Sequence, residues 1–199
     1  MRCYLWPRRC QICASLPQDH IRGKEWWTSY QPTSYKLNSK LGTEAEFKSM
    51  VAACQAQGVG ITVDTVINHT VNANGIGSLS VDGTKYDIKN LSFPDAGYTK
   101  EDFHSEEKNI EDYKDPKQVW NYRLGGLLDL DTSKPHVRQT IGKFYADLLA
   151  IGVAGFRIDA VQHMSPEDLL AIKQEAAKQT GRNCLPQCGT GRTRHQMAR

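Results

Sequence analysis

The chain has 199 residues, 39% hydrophobic and 24% charged, a globular composition with enough apolar material for one ordinary core. Its 25 basic and 22 acidic residues give a formal charge of +3, so no nucleic-acid footprint and no membrane-surface patch is indicated. No run of about 18 apolar residues exists, which excludes a helical membrane span, and "MRCYLWPRRCQICASLP" lacks the clean apolar stretch of a secretory leader.

The two ends differ from the middle. Cys3, Cys10, Cys13, Cys184 and Cys188 lie there with Arg2, Arg8, Arg9, Arg182, Arg192, Arg194 and Arg199, leaving Cys54 as the one cysteine in between. Cys10 and Cys13 with Cys184 and Cys188 make a loose zinc pattern, disfavoured by the spacing of the second pair and by the lack of a flanking strand or knuckle. Residues 1–16 and 184–199 are therefore set apart as aberrant segments.

Between them the pattern is orderly. Thr43 followed three residues later by Glu46 is a capping box for a helix that carries Phe47, Met50, Val51 and Cys54 at helical spacing and stops at Gly58. "VGITVDTVINH" then reads as a buried strand with a polar end. Residues 70–131, rich in Asn, Gly, Asp and Lys, form an insertion long enough for a small domain or a functional lid. A second helix runs over 134–151, entered through Ser133 and Pro135, with Val137, Ile141, Phe144 and Leu148 on one face. The run from Val153 to Val161 predicts a strand buried on both faces. A third helix starts at Ser165 as cap, with Pro166 in the first turn and Asp168 three residues after the cap, and ends at Gly181.

Helix, strand, insertion, helix, strand, helix is the alternation of a parallel α/β fold, either a barrel or a doubly wound sheet. Both strands end in polar groups, Asp64, Asn68 and His69 on one, Arg157, Asp159 and His163 on the other. Alternation along a strand puts Arg157 and Asp159 on the same face. They could be an ion pair that only fixes register, or part of a site at the C-terminal strand edge.

"DTVINH", "GLLDLD" and "GFRIDAVQH", in this order and at these separations, resemble the conserved regions of the α-amylase family of retaining glycoside hydrolases. "PQDHIRGKEWWTSYQPTSYKL" resembles the aromatic-rich loop of its animal-type and related bacterial members. The resemblance runs from Pro17 to Asn183. It implies a partial (β/α)8 barrel of about three strands, formed by residues 17–69 and 132–183, with 70–131 inserted after the third barrel strand. It implies hydrolysis of internal α-1,4 bonds of starch and glycogen by an extracellular, monomeric parent enzyme. Asp159 matches the nucleophile, and Arg157 the residue that keeps it ionised and orients it. Asp64 and His69 match groups that hold the sugar at the cleavage point, with His69 neutral. Trp26, Trp27, Tyr30 and Gln31 match the wall of the cleft; the bland alternative for the two tryptophans is core packing. His163 and Gln162 match positions at the substrate. Calcium is implied, with Asn68 and Asp129 as side-chain ligands and Trp120 and His163 as carbonyl ligands. Arg157 also matches one ligand of the chloride ion of animal-type members.

The sequence departs from this pattern in three places. Gln162 stands where most close relatives have lysine. The second carboxylate of a retaining glycosidase would come from a strand after Gly181, but "NCLPQCGTGRTRHQMAR" has no acidic residue. "MRCYLWPRRCQICAS" likewise lacks the helix and barrel strand due there. The expectation is an internal fragment of an α-amylase with aberrant ends, inactive as it stands. The alternatives are an enzyme for other α-glucosides and a noncatalytic relative that binds sugar or a partner protein.

Overall fold

A computed structural model describes residues 12–14 and 16–181. Cys3, Cys10, Cys184 and Cys188, and with them the zinc reading, lie outside the described residues. Three parallel strands form the central sheet in the order β1 (Ile12–Ala14), β2 (Ile61–Thr65), β5 (Gly155–Ile158). Ile12 pairs with Ile61, Thr62 with Gly155, and Asp64 with Arg157. Parallel neighbours need long crossovers: α1 (Glu44–Ala56) lies in the first, the insertion and α3 (Pro135–Ile151) in the second, and α4 (Pro166–Thr180) follows the sheet.

Strand β1 corrects the expectation that residues 1–16 hold no barrel strand. Three residues are too few to show a period, and pairing along β2 is what defines the strand. The strand around Arg157 is also shorter than expected. It ends at Ile158 rather than Val161, with Arg157 and Ile158 half-buried. Ala160 then adopts the left-handed conformation at φ 51 and the chain enters a 3-10 turn, Val161–His163.

The helices form where the local signals place them. Thr43 and Glu46 complete the capping box of α1, which buries Val51 while Met50 is exposed. Pro135 occupies the first turn of α3, whose Val137, Ile141, Phe144 and Leu148 are all buried. The Ser165 hydroxyl accepts from the Asp168 N–H to cap α4, and Gly181 closes it in the left-handed conformation.

The insertion opens with β3 (His69–Asn72), antiparallel to β4 (Leu127–Asp129), so that His69 and Asp129 are paired. A short helix, α2 (Pro116–Asn121), precedes β4. Tyr86, Phe93, Tyr98 and Phe103 pack ring on ring and give the insertion its own apolar centre. It joins the main core where Tyr35 packs edge-on to Tyr98 and stacks on Phe144 of α3.

Candidate active site

Because Asp64 and Arg157 are register partners on neighbouring parallel strands, their side chains leave the sheet on one face. The Arg157 Nη1 donates to Asp64 Oδ2 at 2.5 Å, while Nη2 lies 3.1 Å from Asp159 Oδ1. One guanidinium thus forks between two carboxylates, one on each of two strand ends. The Tyr30 hydroxyl donates to the same Asp64 oxygen at 3.0 Å. Burial and the Asp64 charge push the Tyr30 hydroxyl up to about 12, so it stays a donor. Burial lifts the carboxyls of Asp64 and Asp159 above the usual carboxylate range, and Arg157 opposes the rise at both. The backbone amide of Ala160 also favours the charged form of Asp159.

His69 is 2% exposed, and its Nε2 lies 3.1 Å from the Tyr30 carbonyl. That contact fixes the proton on Nε2 and leaves Nδ1 as an acceptor. Burial lowers its pKa to about 4, so the ring is neutral at pH 7. Asp64 Oδ1 and His69 Nδ1 are buried without a hydrogen-bond partner among the described residues.

The aromatic loop carries Trp26 to Tyr30 as a 3-10 turn. Trp26 is 76% and Trp27 45% exposed, which removes core packing as their explanation. Gln31 does something the sequence did not suggest: its side-chain oxygen accepts from the Asn72 N–H at 2.9 Å, tying the loop to β3.

Asn68 and Asp129 meet at the junction of sheet and insertion, with Asn68 Nδ2 donating to Asp129 Oδ1 at 3.0 Å and His104 Nδ1 2.7 Å from Asp129 Oδ2. Burial raises the Asp129 carboxyl to about 6 despite these partners. His163 Nδ1 lies 3.3 Å from the carbonyl of Val119, the residue before Trp120. Gln162 is exposed, its amide nitrogen 3.4 Å from His163 Nε2. Among the described residues no group of three or more His, Cys, Asp or Glu side chains gathers to hold a metal.

Tyr113 was missed in the sequence. It is 61% exposed and edge-on to the His163 ring at 6.2 Å, and a lone tyrosine in a polar insertion gives no signal. Asp19 was missed too. Fully buried, its carboxylate accepts from Thr33, Ser34 and the Asp82 N–H, each at 3.0 Å. A groove of about 1250 Å³ between α1, α3 and the insertion, lined by Tyr35, Lys48, His136 and Lys143, contains none of the residues around Arg157.

Residues 12–187 match the family described as Alpha amylase, catalytic domain. The chain belongs to the α-amylase family. An α-amylase of Streptomyces violaceus is 43% identical over 162 residues, 81% of this chain and 27% of that protein. A pancreatic α-amylase of Mus musculus is 44% identical over 156 residues, 77% of this chain and 31% of that protein. The crystal structure of α-amylase I from Eisenia fetida superposes with a TM-score of 0.79 at 38% identity, covering 92% of this chain and 37% of that one. The chain thus spans about a third of the length of these α-amylases, and among the described residues its parallel strands do not close a barrel.

Proposed function

We propose that the chain is the part of an α-amylase that carries the nucleophile for retaining cleavage of internal α-1,4 bonds in starch and glycogen, built on three strands of a (β/α)8 barrel with residues 70–131 inserted. The observation that carries this is the fork of Arg157 between Asp64 and Asp159. Asp159 attacks the anomeric carbon, forming the glycosyl–carboxylate bond as the bond to the leaving oxygen breaks. Arg157 orients that carboxylate and favours its charged form. Asp64 Oδ1 and His69 Nδ1, buried acceptors lacking partners among the described residues, are suited to hydroxyls of the sugar at the cleavage point. Trp26, Trp27 and Tyr30 offer rings to apolar sugar faces, Gln31 holds that wall against β3, and Gln162 and His163 follow Asp159 in the next turn. The Eisenia fetida enzyme is also described, as a point mutant, in complex with maltohexaose, which supports a glucan substrate.

Calcium is the metal this reading implies, held by the side chains of Asn68 and Asp129 and the carbonyls of Trp120 and His163. The donor set fits: all four groups are oxygens, as calcium requires, and the buried Asp129 carboxyl is raised by its desolvation, which a divalent cation would offset. Bound there, the ion would link the insertion to the strand ends. Arg157 is the cation that a chloride ion would meet. The relatives include pancreatic α-amylases, which supports an extracellular parent; we read that parent as monomeric, with no nucleic-acid or membrane partner. No helix among the described residues is long and apolar enough to cross a membrane.

By itself the chain should not turn over starch. General acid catalysis contributes roughly a hundred- to ten-thousand-fold, and residues 176–199 contain no Asp or Glu. Asp168 is held by Arg138 and Thr132, and Glu175 by Lys178 on the same helix. The test separates nucleophile from acid. An activated maltosyl fluoride, whose fluoride leaves without protonation, should add a glycosyl group to Asp159 of the full chain, and Asp159→Asn should abolish the label. Maltohexaose binding without any label would favour the noncatalytic sugar-binding alternative.

A further inference from the structure

Two Asn-x-Ser/Thr triplets occur in the chain, Asn68-His69-Thr70 and Asn90-Leu91-Ser92. This is the acceptor pattern for an N-linked glycan, and at sequence level the two are equivalent. The fold separates them. Asn68 is 1% exposed, its Nδ2 is given to Asp129, and its carbonyl accepts from the Leu130 N–H at 2.9 Å. A sugar on that nitrogen would have to occupy the junction of sheet and insertion.

Asn90 is exposed on a turn of the insertion. Asp87 and Ser92 exchange both backbone hydrogen bonds at 2.9 Å and close the turn, and Leu91 at φ 49 carries the chain round its tip. The Asn90 N–H donates to Asp87 Oδ1 at 3.1 Å and its Nδ2 to Asp87 Oδ2 at 2.7 Å. An amide nitrogen carries two hydrogens. One can stay on Asp87 while the other is replaced, so a glycan here costs the turn no hydrogen bond. None of these contacts involves the residues around Arg157.

We propose that Asn90 is the N-glycosylation site of this protein and that Asn68 is not, an inference that rests on the extracellular reading above. In the transfer, a bond forms between Asn90 Nδ2 and C1 of an oligosaccharide carried on a polyprenyl diphosphate. The C1–oxygen bond to the carrier breaks, the diphosphate leaves with the electron pair, and the amide gives up one proton.

The test is to express the full chain behind a cleavable leader in yeast, and to treat cell-associated and secreted material with peptide N-glycosidase in heavy-oxygen water. A single mobility step is expected, with residue 90 recovered as aspartate carrying the heavy oxygen. Ser92→Ala removes the triplet without altering Asn90, and the step should vanish. Thr70→Val removes the other triplet while keeping the side-chain shape, and it deletes a buried hydroxyl that has no partner among the described residues, so the chain keeps its fold and its glycan. A wild-type chain with no step, beside a control glycoprotein from the same cells that shows one, overturns the proposal. So does a step that survives Ser92→Ala and disappears in Thr70→Val. Neither readout depends on labelling of Asp159, so this inference and the enzymatic reading fail separately.

Discussion

Arg157 of β5 and Asp64 of β2 face each other across the parallel ladder, and the 2.5 Å contact between them leaves the second amino group of the guanidinium for Asp159. A planar fork can serve two carboxylates at once, whereas an ammonium is a single point charge. Arg157→Met should leave the Asp64 and Asp159 carboxylates, whose side chains are 11% and 21% exposed, without their cation. The expected loss in urea unfolding of the full chain is about 1–2 kcal/mol, at the low end because the guanidinium is 42% exposed and already screened by water. Arg157→Lys should recover only part of it. Adding Asp64→Asn to Arg157→Met should return stability, since one unpaired charge is removed; a further loss would mean that the fork is not what stabilises this edge.

The aromatic loop is fastened to the insertion through a second pair of acids. The Asp82 N–H donates to Asp19, while the Asp82 carboxylate accepts from Asn38 at 2.8 Å and Lys36 at 3.1 Å. Asn38 in turn accepts from the Glu44 N–H at the start of α1. Asp19→Ala removes the acceptor of three hydrogen bonds in a fully buried place and should cost about 2–3 kcal/mol. Amide exchange should quicken together at residues 31–36 and 80–84 and stay unchanged in the centre of α3. Faster exchange in only one of the two segments would show that Asp19 does not join them.

How far the sequence can be read differs from element to element. Helix α1 was legible from cap and apolar period together, α4 from its cap and its closing glycine, and α3 from Pro135 and its apolar period, although Lys134 rather than Ser133 stands at its cap and makes no side-chain cap bond; β2 was legible because five buried residues in a row leave few alternatives. β1 was not, since three residues become a strand only by pairing with a neighbour 49 positions on, Ile12 with Ile61. Asp64, Arg157 and Asp159 were legible as polar groups at strand ends, and alternation alone put the last two on one face. What alternation could not supply is the inter-strand register that makes Asp64 the first partner of Arg157. Gln31 was placed at the sugar by its neighbours, yet its amide oxygen is spent on Asn72, a contact between segments 41 residues apart. Such long-range satisfaction of a backbone N–H has no local signature.

Acid should weaken the fold through two buried imidazoles. His20, fully buried, has Nδ1 2.8 Å from the Ile21 carbonyl and accepts from the Lys40 N–H at Nε2, a pattern only the neutral ring can make. Burial, chiefly, lowers its pKa, and burial brings His69 to about 4. Both folded values lie below the unfolded value of 6.5, so the unfolded chain binds more protons as pH falls through that range. Their contribution is complete above 6.5 and is lost progressively towards 4. These two rings therefore push urea midpoints down over this window, against the raised carboxyls of Asp64, Asp129 and Asp159, which push them up; His20→Gln, which has an acceptor and donors but no titration, should remove its share of the decline. An unaltered slope would remove His20 from the account.

The residue after the candidate nucleophile is the clearest place to ask whether backbone shape serves the site. Ala160 has φ 51 and ψ 28, one of two non-glycine residues with positive φ among the described residues. Its carbonyl accepts from the His163 N–H at 2.8 Å, which closes the turn, and its backbone amide favours the charged form of Asp159. The left-handed conformation costs an L-residue about 1–2 kcal/mol. Glycine would relieve that cost but lose about 0.5–1 kcal/mol to backbone entropy, so Ala160→Gly should leave the unfolding midpoint nearly unchanged. A β-branched side chain is a true outlier in this region, and Ala160→Val should lose about 2 kcal/mol or force the turn to open. If it opens, the backbone that carries Asp159 moves with it and the carboxylate loses its aim. Labelling of Asp159 by the activated fluoride should then slow in Ala160→Val more than the loss of folded protein accounts for, while Ala160→Gly labels at the wild-type rate. Equal labelling rates per folded molecule in all three would mean that the left-handed turn is incidental to the carboxylate it follows.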